Sequence, residues 1–290
     1  MSDQTPPAPG AVDLAALKAA LDAGAAALAA GDARAAAEAY ARALAIDPED
    51  RAAVSLRLAA LAAGPTPDGA PPAYVAALFD QNAADFDDIL IERLGYDAPL
   101  QIRQQIQDAA GPERRFARLL DLGCGTGLCA EALGDLTEAR IGVDLSEGMI
   151  AEAAEKELYD ALYVGDALGF LRSEIETDAS FDLIVAGDLA PYLGDLAPLI
   201  GAVAERLAPG GLFALTAETA EGLDGEGDQA ADAPPPWRVT PERRFAHASA
   251  HLDAALRTAG LERLDARTAV TRYETGRPVA SHLVVAARPA

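Results

Sequence analysis

Arg118-Leu-Leu-Asp-Leu-Gly-Cys-Gly-Thr-Gly-Leu128 is the stretch on which the fold of this chain turns. Leu119, Leu120 and Leu122 surround Asp121 as in a buried strand. Gly123, Gly125 and Gly127 then punctuate a turn, and Leu128 to Leu133 resumes at helical spacing. A strand running into a glycine turn and a helix is a nucleotide-binding arrangement. Glycine takes positive φ and lets a ligand approach with no Cβ in the way, and the start of the helix offers free N–H groups. A dinucleotide fingerprint, G-x-G-x-x-G, fails here, because its last position counted from Gly123 is Leu128. The pattern present is D-x-G-x-G-x-G.

Outward from this stretch the hydrophobic period alternates. Strands are expected at 116–121, 139–143, 160–164, 181–187, 210–217, 261–271 and 280–288, and helices at 127–135, 146–157, 167–174, 195–208 and 246–259. Such alternation, with a last hairpin around Thr275-Gly-Arg-Pro278, predicts an α/β fold: a doubly wound, seven-stranded, mostly parallel sheet with an antiparallel strand near its end. Ligands bind such sheets at the C-terminal strand ends, where the strand order reverses.

Upstream, residues 1–10 read as a Pro-rich disordered tail. Residues 11–64 form an Ala-rich helical region broken at Gly31-Asp32 and Asp47-Pro48, residues 65–72 a Gly/Pro linker, and residues 73–290 the main domain. Within the main domain, short amphipathic helices over Tyr74–Asp80, Asp85–Leu94 and Pro99–Ala109 occupy residues 73–110, ahead of the core (111–290). Downstream, the loop from about Glu218 to Thr240 carries acids and Pro234-Pro-Pro-Trp237. It is long enough to be functional and is placed to gate an acceptor pocket.

Composition narrows the function. The 290 residues are 51% hydrophobic, enough for a sizeable core, and carry 23 Lys and Arg against 46 Asp and Glu. The net charge of -23 repels a phosphate backbone, which argues against DNA as a partner and lowers the case for RNA. Cys124 and Cys129 have no metal-ligand company and form no disulfide framework, so no metal site is expected and a reducing cytoplasm is the implied compartment. No basic, apolar leader and no run of about twenty uncharged apolar residues point to export or a membrane.

The D-x-G-x-G-x-G of Asp121–Gly127 resembles the first motif of class I S-adenosylmethionine-dependent methyltransferases. That resemblance implies S-adenosylmethionine as cofactor, held by the loop Gly123, Cys124, Gly125 and Gly127, with Asp121 beside the methionyl ammonium. Asp144 ends the second strand about twenty residues past the loop and is placed to accept both ribose hydroxyls. Asp144-Leu-Ser-Glu-Gly-Met149 resembles the family's D-x-S-x-x-M, with Leu145 and Met149 near the adenine. Asp166-Ala167 resembles the acidic position that meets the adenine amino group.

Asp188, Tyr192 and His247 are the acceptor-side candidates, the first also at the cofactor. Asp188-Leu-Ala-Pro-Tyr192 departs by one residue from the D-P-P-Y of amino-methyltransferases, which opposes base methylation by that route. The Tyr74…Phe79…Phe86 pattern resembles the entry segment of bacterial methyltransferases that carry tetratricopeptide repeats. That likeness extends to Gly24…Tyr40…Pro48 and places Tyr74 and Phe79 over the cofactor. The acceptor implied is a small molecule. A protein side chain, or a partner-binding scaffold acting through the N-terminal helices, is the other reading, and a dinucleotide-dependent oxidoreductase is opposed by the glycine spacing.

Overall fold

The computed structural model describes residues 12–176, 180–221 and 236–290. The expected tail at 1–10 and the gating part of the acidic loop, 222–235, lie outside these. The chain divides into two compact units, Met1–Pro67 with Val239–Arg243, and Asp68–Arg238 with Arg244–Ala290.

The smaller unit holds α1 (Leu14–Ala29), α2 (Ala33–Ile46) and α3 (Val54–Ala60). The Asp13 and Asp32 carboxylates cap the first two, accepting from the Ala16 and Ala35 amides at 3.0 and 2.9 Å and so pairing N–H groups that a helix start leaves open. Leu17, Ala20, Ala36, Tyr40, Ala43, Val54 and Leu58 form its core. Small residues let the first two helices close together: a Cβ on Gly24 would stand 2.3 Å from the Tyr40 ring.

The larger unit begins with α4 (Pro72–Asp80), a 3-10 turn (Ala83–Asp85), a π-helical turn (Asp88–Arg93) and α5 (Ala98–Ala110). Alternating elements follow: β1 (Phe116–Leu122), α6 (Leu128–Leu133), β2 (Thr137–Asp144), α7 (Glu147–Glu155), β3 (Ala161–Val164), α8 (Ala167–Arg172), β4 (Phe181–Ala186), α9 (Ala197–Arg206) and β5 (Leu207–Glu218). The unit ends with α10 (Ser249–Thr258), β6 (Glu262–Glu274) and β7 (Arg277–Ala287). The sheet has seven strands in the order β3-β2-β1-β4-β5-β7-β6. The first five are parallel, and β7 runs antiparallel to both its neighbours. This is the doubly wound sheet that the alternation predicted.

The strands read as near-continuous apolar runs because both faces are covered. Leu120, Leu122, Ile184 and Phe213 point to one side, packing with Leu199, Ile200, Val203 and Leu256 of α9 and α10. Leu119, Leu183, Val185 and Leu212 point to the other, against Ile102, Ile106 and Leu133 of α5 and α6. The chain steps outward from β1 to β3 and returns to β4 beside β1, so a crevice opens at the C-terminal ends of β1 and β4.

One expectation is corrected and two are refined. The linker's second half is paired: the Asp68 carbonyl accepts from the Gly194 amide at 2.8 Å and the Ala70 amide donates to the Tyr192 carbonyl at 2.9 Å, satisfying backbone groups at the edge of the larger unit. The helix expected from 246 starts at Ser249, because Phe245–His247 is a short strand whose His247 carbonyl takes the Ala220 amide at 2.9 Å. The helix expected over 85–94 is present but irregular: a 3-10 segment (Ala83–Asp85) passes through Phe86 and Asp87 into a π-helical segment (Asp88–Arg93).

Leu120→Ala, at a fully buried position in the central strand, should cost about 2–5 kcal/mol through lost burial and a cavity. A denaturant midpoint lowered at unchanged slope is the expected measurement.

Candidate active site

The glycine loop is tied to the end of β2. The Gly123 and Cys124 amides both donate to the Val143 carbonyl, at 2.8 and 3.0 Å, and the Gly125 amide donates to Asp144 Oδ2 at 2.9 Å. Gly123, Gly125 and Gly127 have φ of 67°, 53° and 97°, a region that residues with a Cβ rarely enter. The other Asp144 oxygen accepts from the Ser146 amide at 2.9 Å. Burial raises the Asp144 carboxyl, against these amides, which lower it.

The crevice is a cavity of about 340 Å³. Its walls include Gly123, Cys124 and Gly125, then Asp144, Leu145, Asp166 and Ala167 at the ends of β2 and β3, and Asp188 and Tyr192 after β4. The carboxylates of Asp144, Asp166 and Asp188, from three strand ends, are thus brought to one cavity. Asp166 also caps α8, its Oδ1 accepting from the Gly169 amide at 2.6 Å. The lid supplies an apolar wall from Val75, Leu78, Phe79 and Phe86.

Other expected residues stand elsewhere. Asp121 is fully buried behind the loop: Oδ2 accepts from the Tyr159 hydroxyl at 2.7 Å and Oδ1 has no partner. Burial outweighs the Tyr159 bond and lifts this carboxyl to about 7. Gly127 shapes the loop beside Tyr159 without reaching the cavity wall. Tyr74 is not on the wall, because Val75, Leu78, Phe79 and Asn82 define the inward helical face and Tyr74 falls beside it. Met149 is fully buried in the core rather than on the wall.

His247 is also off the wall. It is fully buried, with Nε2 donating to the Leu193 and Gly194 carbonyls at 2.9 and 3.0 Å, and burial pushes its pKa down to about 4. It holds the turn after Tyr192 in place.

Sequence reasoning missed the charged cluster around Asp188. Arg272, 1% exposed on β6, donates through Nη1 to both Asp188 oxygens at 2.9 and 3.0 Å, through Nη2 to Glu218, and through Nε to Glu274 at 2.7 Å. Arg244 pairs with Glu218 at 3.1 Å and with Glu274. Both arginines reach the cavity wall. Burial raises the Glu218 carboxyl, against Arg272 and Arg244, and Asp188 sits at φ 59°, its amide donating to Thr216 Oγ1 at 2.8 Å. Tyr192 is half-buried, with its hydroxyl pushed up to about 12 by burial against the pull of Arg244. Among the described residues no group of three or more His, Cys, Asp or Glu is placed to hold a metal ion, and no helix is long and apolar enough to cross a membrane.

The residues fit S-adenosylmethionine. An orphaned buried carboxylate oxygen lies behind a loop whose Gly123, Gly125 and Gly127 carry no Cβ, with one carboxylate at the end of β2 and another after β3. Residues 120–213 match a family model described as a methyltransferase domain. The chain is 35% identical over 107 residues to a trans-aconitate 2-methyltransferase of Deinococcus radiodurans, covering 36% of this chain and 39% of that relative's length.

An S-adenosylmethionine-dependent methyltransferase from Clostridium acetobutylicum superposes with a TM-score of 0.52 at 19% identity, over 72% of this chain and 99% of the other. The cyclase SpnF superposes with a TM-score of 0.58 at 18% identity, over 78% and 98%. The two structures establish the fold alone. Residues 120–213 are thus similar to a methyltransferase domain, on a fold shared with these two structures.

Arg272→Met leaves the Asp188, Glu218 and Glu274 carboxylates without their shared buried cation and should destabilise the fold by about 3–5 kcal/mol near pH 7.5. Burial already raises the Glu218 carboxyl, and losing Arg272, which lowers it, lifts its folded value further above the unfolded one. The deficit is therefore full above the folded value and shrinks as pH falls toward the unfolded one. Denaturant titrations at pH 7.5 and pH 5 should show the smaller difference from wild type at pH 5.

Proposed function

We propose that the larger unit transfers the methyl group of S-adenosylmethionine to a small-molecule acceptor. The observation that carries this reading is the cavity, with a glycine loop and Asp144 at one end, Asp188, Tyr192 and the arginine pair at the other, and an apolar lid between. S-adenosylmethionine, when bound, supplies an electrophilic sulfonium methyl. Gly123, Cys124 and Gly125 leave room for the methionyl part, and Asp121 Oδ1 balances its ammonium. Asp144 accepts from the ribose hydroxyls and Asp166 from the adenine amino group, with Leu145 and Ala167 alongside. Asp188 and Tyr192 orient the acceptor, and Phe79 with its lid neighbours excludes water.

A volume of about 340 Å³ is on the scale of small-molecule pockets, roughly 300–1,000 Å³. The Deinococcus relative, by its name, also acts on a small molecule. The Gly24–Tyr40 crossing supports the tetratricopeptide resemblance, and the N-terminal helices are the candidate surface for a protein partner. The acidic net charge disfavours DNA.

Thermal shift with S-adenosylmethionine, S-adenosylhomocysteine, NAD and NADP tests the reading: the first two should raise Tm and the dinucleotides should not. Asp144→Ala should weaken S-adenosylhomocysteine binding on the order of ten- to hundredfold in calorimetry, since two ribose hydroxyls lose their charged acceptor. An unchanged Kd in the folded variant removes Asp144 from the site.

Asp121 makes binding pH-dependent. Its carboxyl titrates at about 7 in the folded protein, and an ammonium partner favours the ionised form, so binding releases a proton below that value. Affinity should rise about tenfold from pH 6 to pH 8, and Asp121→Asn should flatten the profile. A wild-type profile already flat across that range removes Asp121 from the ammonium site.

A further inference from the structure

Two lid carboxylates reach across to the segments that shape the cofactor end. Asp87 Oδ1 accepts from the Thr126 hydroxyl at 2.5 Å, in the middle of the glycine loop, and Asp87 Oδ2 takes Lys156 Nζ at 2.5 Å, just past the end of α7. Asp80 Oδ1 accepts from Ser146 Oγ at 2.5 Å and from the Gly148 amide at 3.0 Å, at the start of α7, and the Ser146 hydroxyl holds its carboxyl below the usual range. The lid therefore grips both ends of the helix that follows Asp144, and also the loop itself. Between these anchors Phe86 lies over Gly125: a Cβ built there would stand 3.8 Å from its ring.

From this geometry we infer that Asp87 is a positioning residue for the glycine loop, so that the lid is part of the cofactor site and sets how long the cofactor stays. Thr126 stands between Gly125 and Gly127, both at positive φ, and a loop this rich in glycine has the most backbone freedom to lose on ordering. Its 3%-exposed side chain is held from the lid through Asp87. Asp87 is in turn fixed by Lys156, which neutralises it. Lifting the lid breaks the bond that keeps the loop in its binding shape. Phe79 carries the coupling onward, its ring edge-on to Tyr192 with centroids 5.2 Å apart, so lid closure also sets the acceptor end.

The inference rests on the cofactor reading above. The experiment is stopped-flow release of S-adenosylhomocysteine from the full chain, with Tm measured alongside. Asp87→Ala and Thr126→Val should each raise the release rate constant about tenfold. The double variant should release no faster than Asp87→Ala alone, because Thr126→Val removes a bond that Asp87→Ala has already lost. Thr126→Ser keeps the hydroxyl and should restore the wild-type rate.

Thr126→Val changes the side chain's volume little and keeps the test decisive if Asp87→Ala does not fold. Variants that lose Tm yet release at the wild-type rate would make Asp87 a purely structural contact and overturn the inference. So would additive effects in the double variant. A wild-type chain that binds no S-adenosylhomocysteine would overturn the cofactor reading itself, and this inference with it.

Discussion

Three successive amides of the glycine loop, those of Gly123, Cys124 and Gly125, are bonded to the end of β2: two to the Val143 carbonyl and one to the Asp144 carboxylate. This constraint forces the chain to turn back within a few residues, which only positive-φ residues permit at low cost, and so selects glycine at 123 and 125. The same bonds orient Asp144 before any ligand arrives, since one of its oxygens is fixed by Gly125 and the other by Ser146. Each carboxylate oxygen keeps acceptor capacity, so the preorganised group still has lone pairs for ligand hydroxyls. The switch point between β1 and β4 then sets the direction in which the cavity opens.

What was legible in the sequence follows from burial. The parallel strands read clearly because each is covered on both faces. Their observed bounds differ from the expected ones by a few residues, most at β5, which starts at Leu207 rather than 210. The glycine loop and the strand-end acids on the cavity wall were legible for a related reason: they sit at fixed offsets within local units. The charged cluster was not. Arg272 lies in a strand reading Thr271-Arg-Tyr-Glu274, and nothing local distinguishes a fully buried arginine from an edge-strand charge. Its partners at 188 and 218 are far away in sequence and meet it only through the antiparallel return of β7. His247 misled in the opposite direction. Its polarity suggested chemistry, while its ring is turned to two carbonyls beneath the acceptor turn.

The ion cluster explains how an acidic chain keeps its acceptor end ordered. Three carboxylates share two guanidiniums, and Arg272 divides its donors among all three. Removing such charges from water is costly, and the geometry offsets this only because nearly every partner is present at once. The consequence is rigidity where Asp188 needs it. A non-glycine residue at φ 59° persists only when its surroundings over-determine it, and the Arg272 pair with the Thr216 bond does so. Asp188 is thus a fixed hydrogen-bond acceptor on the wall.

The same sheet carries a cyclase as well as methyltransferases, so the reaction has to be argued from the site. At the acceptor end, the Tyr192 hydroxyl is pushed up to about 12 and stays neutral at neutral pH. His247 is pushed down to about 4 and lies off the wall. Asp188 is ion-paired with Arg272. A general base works best when its pKa lies near the operating pH, and neither Tyr192 nor His247 is both on the wall and poised there. In the proposed transfer, Tyr192 and His247 therefore supply no base, and an acceptor that already carries a free lone pair suits this cavity. The rate enhancement then comes from holding two reactants in line within a lidded, largely apolar space.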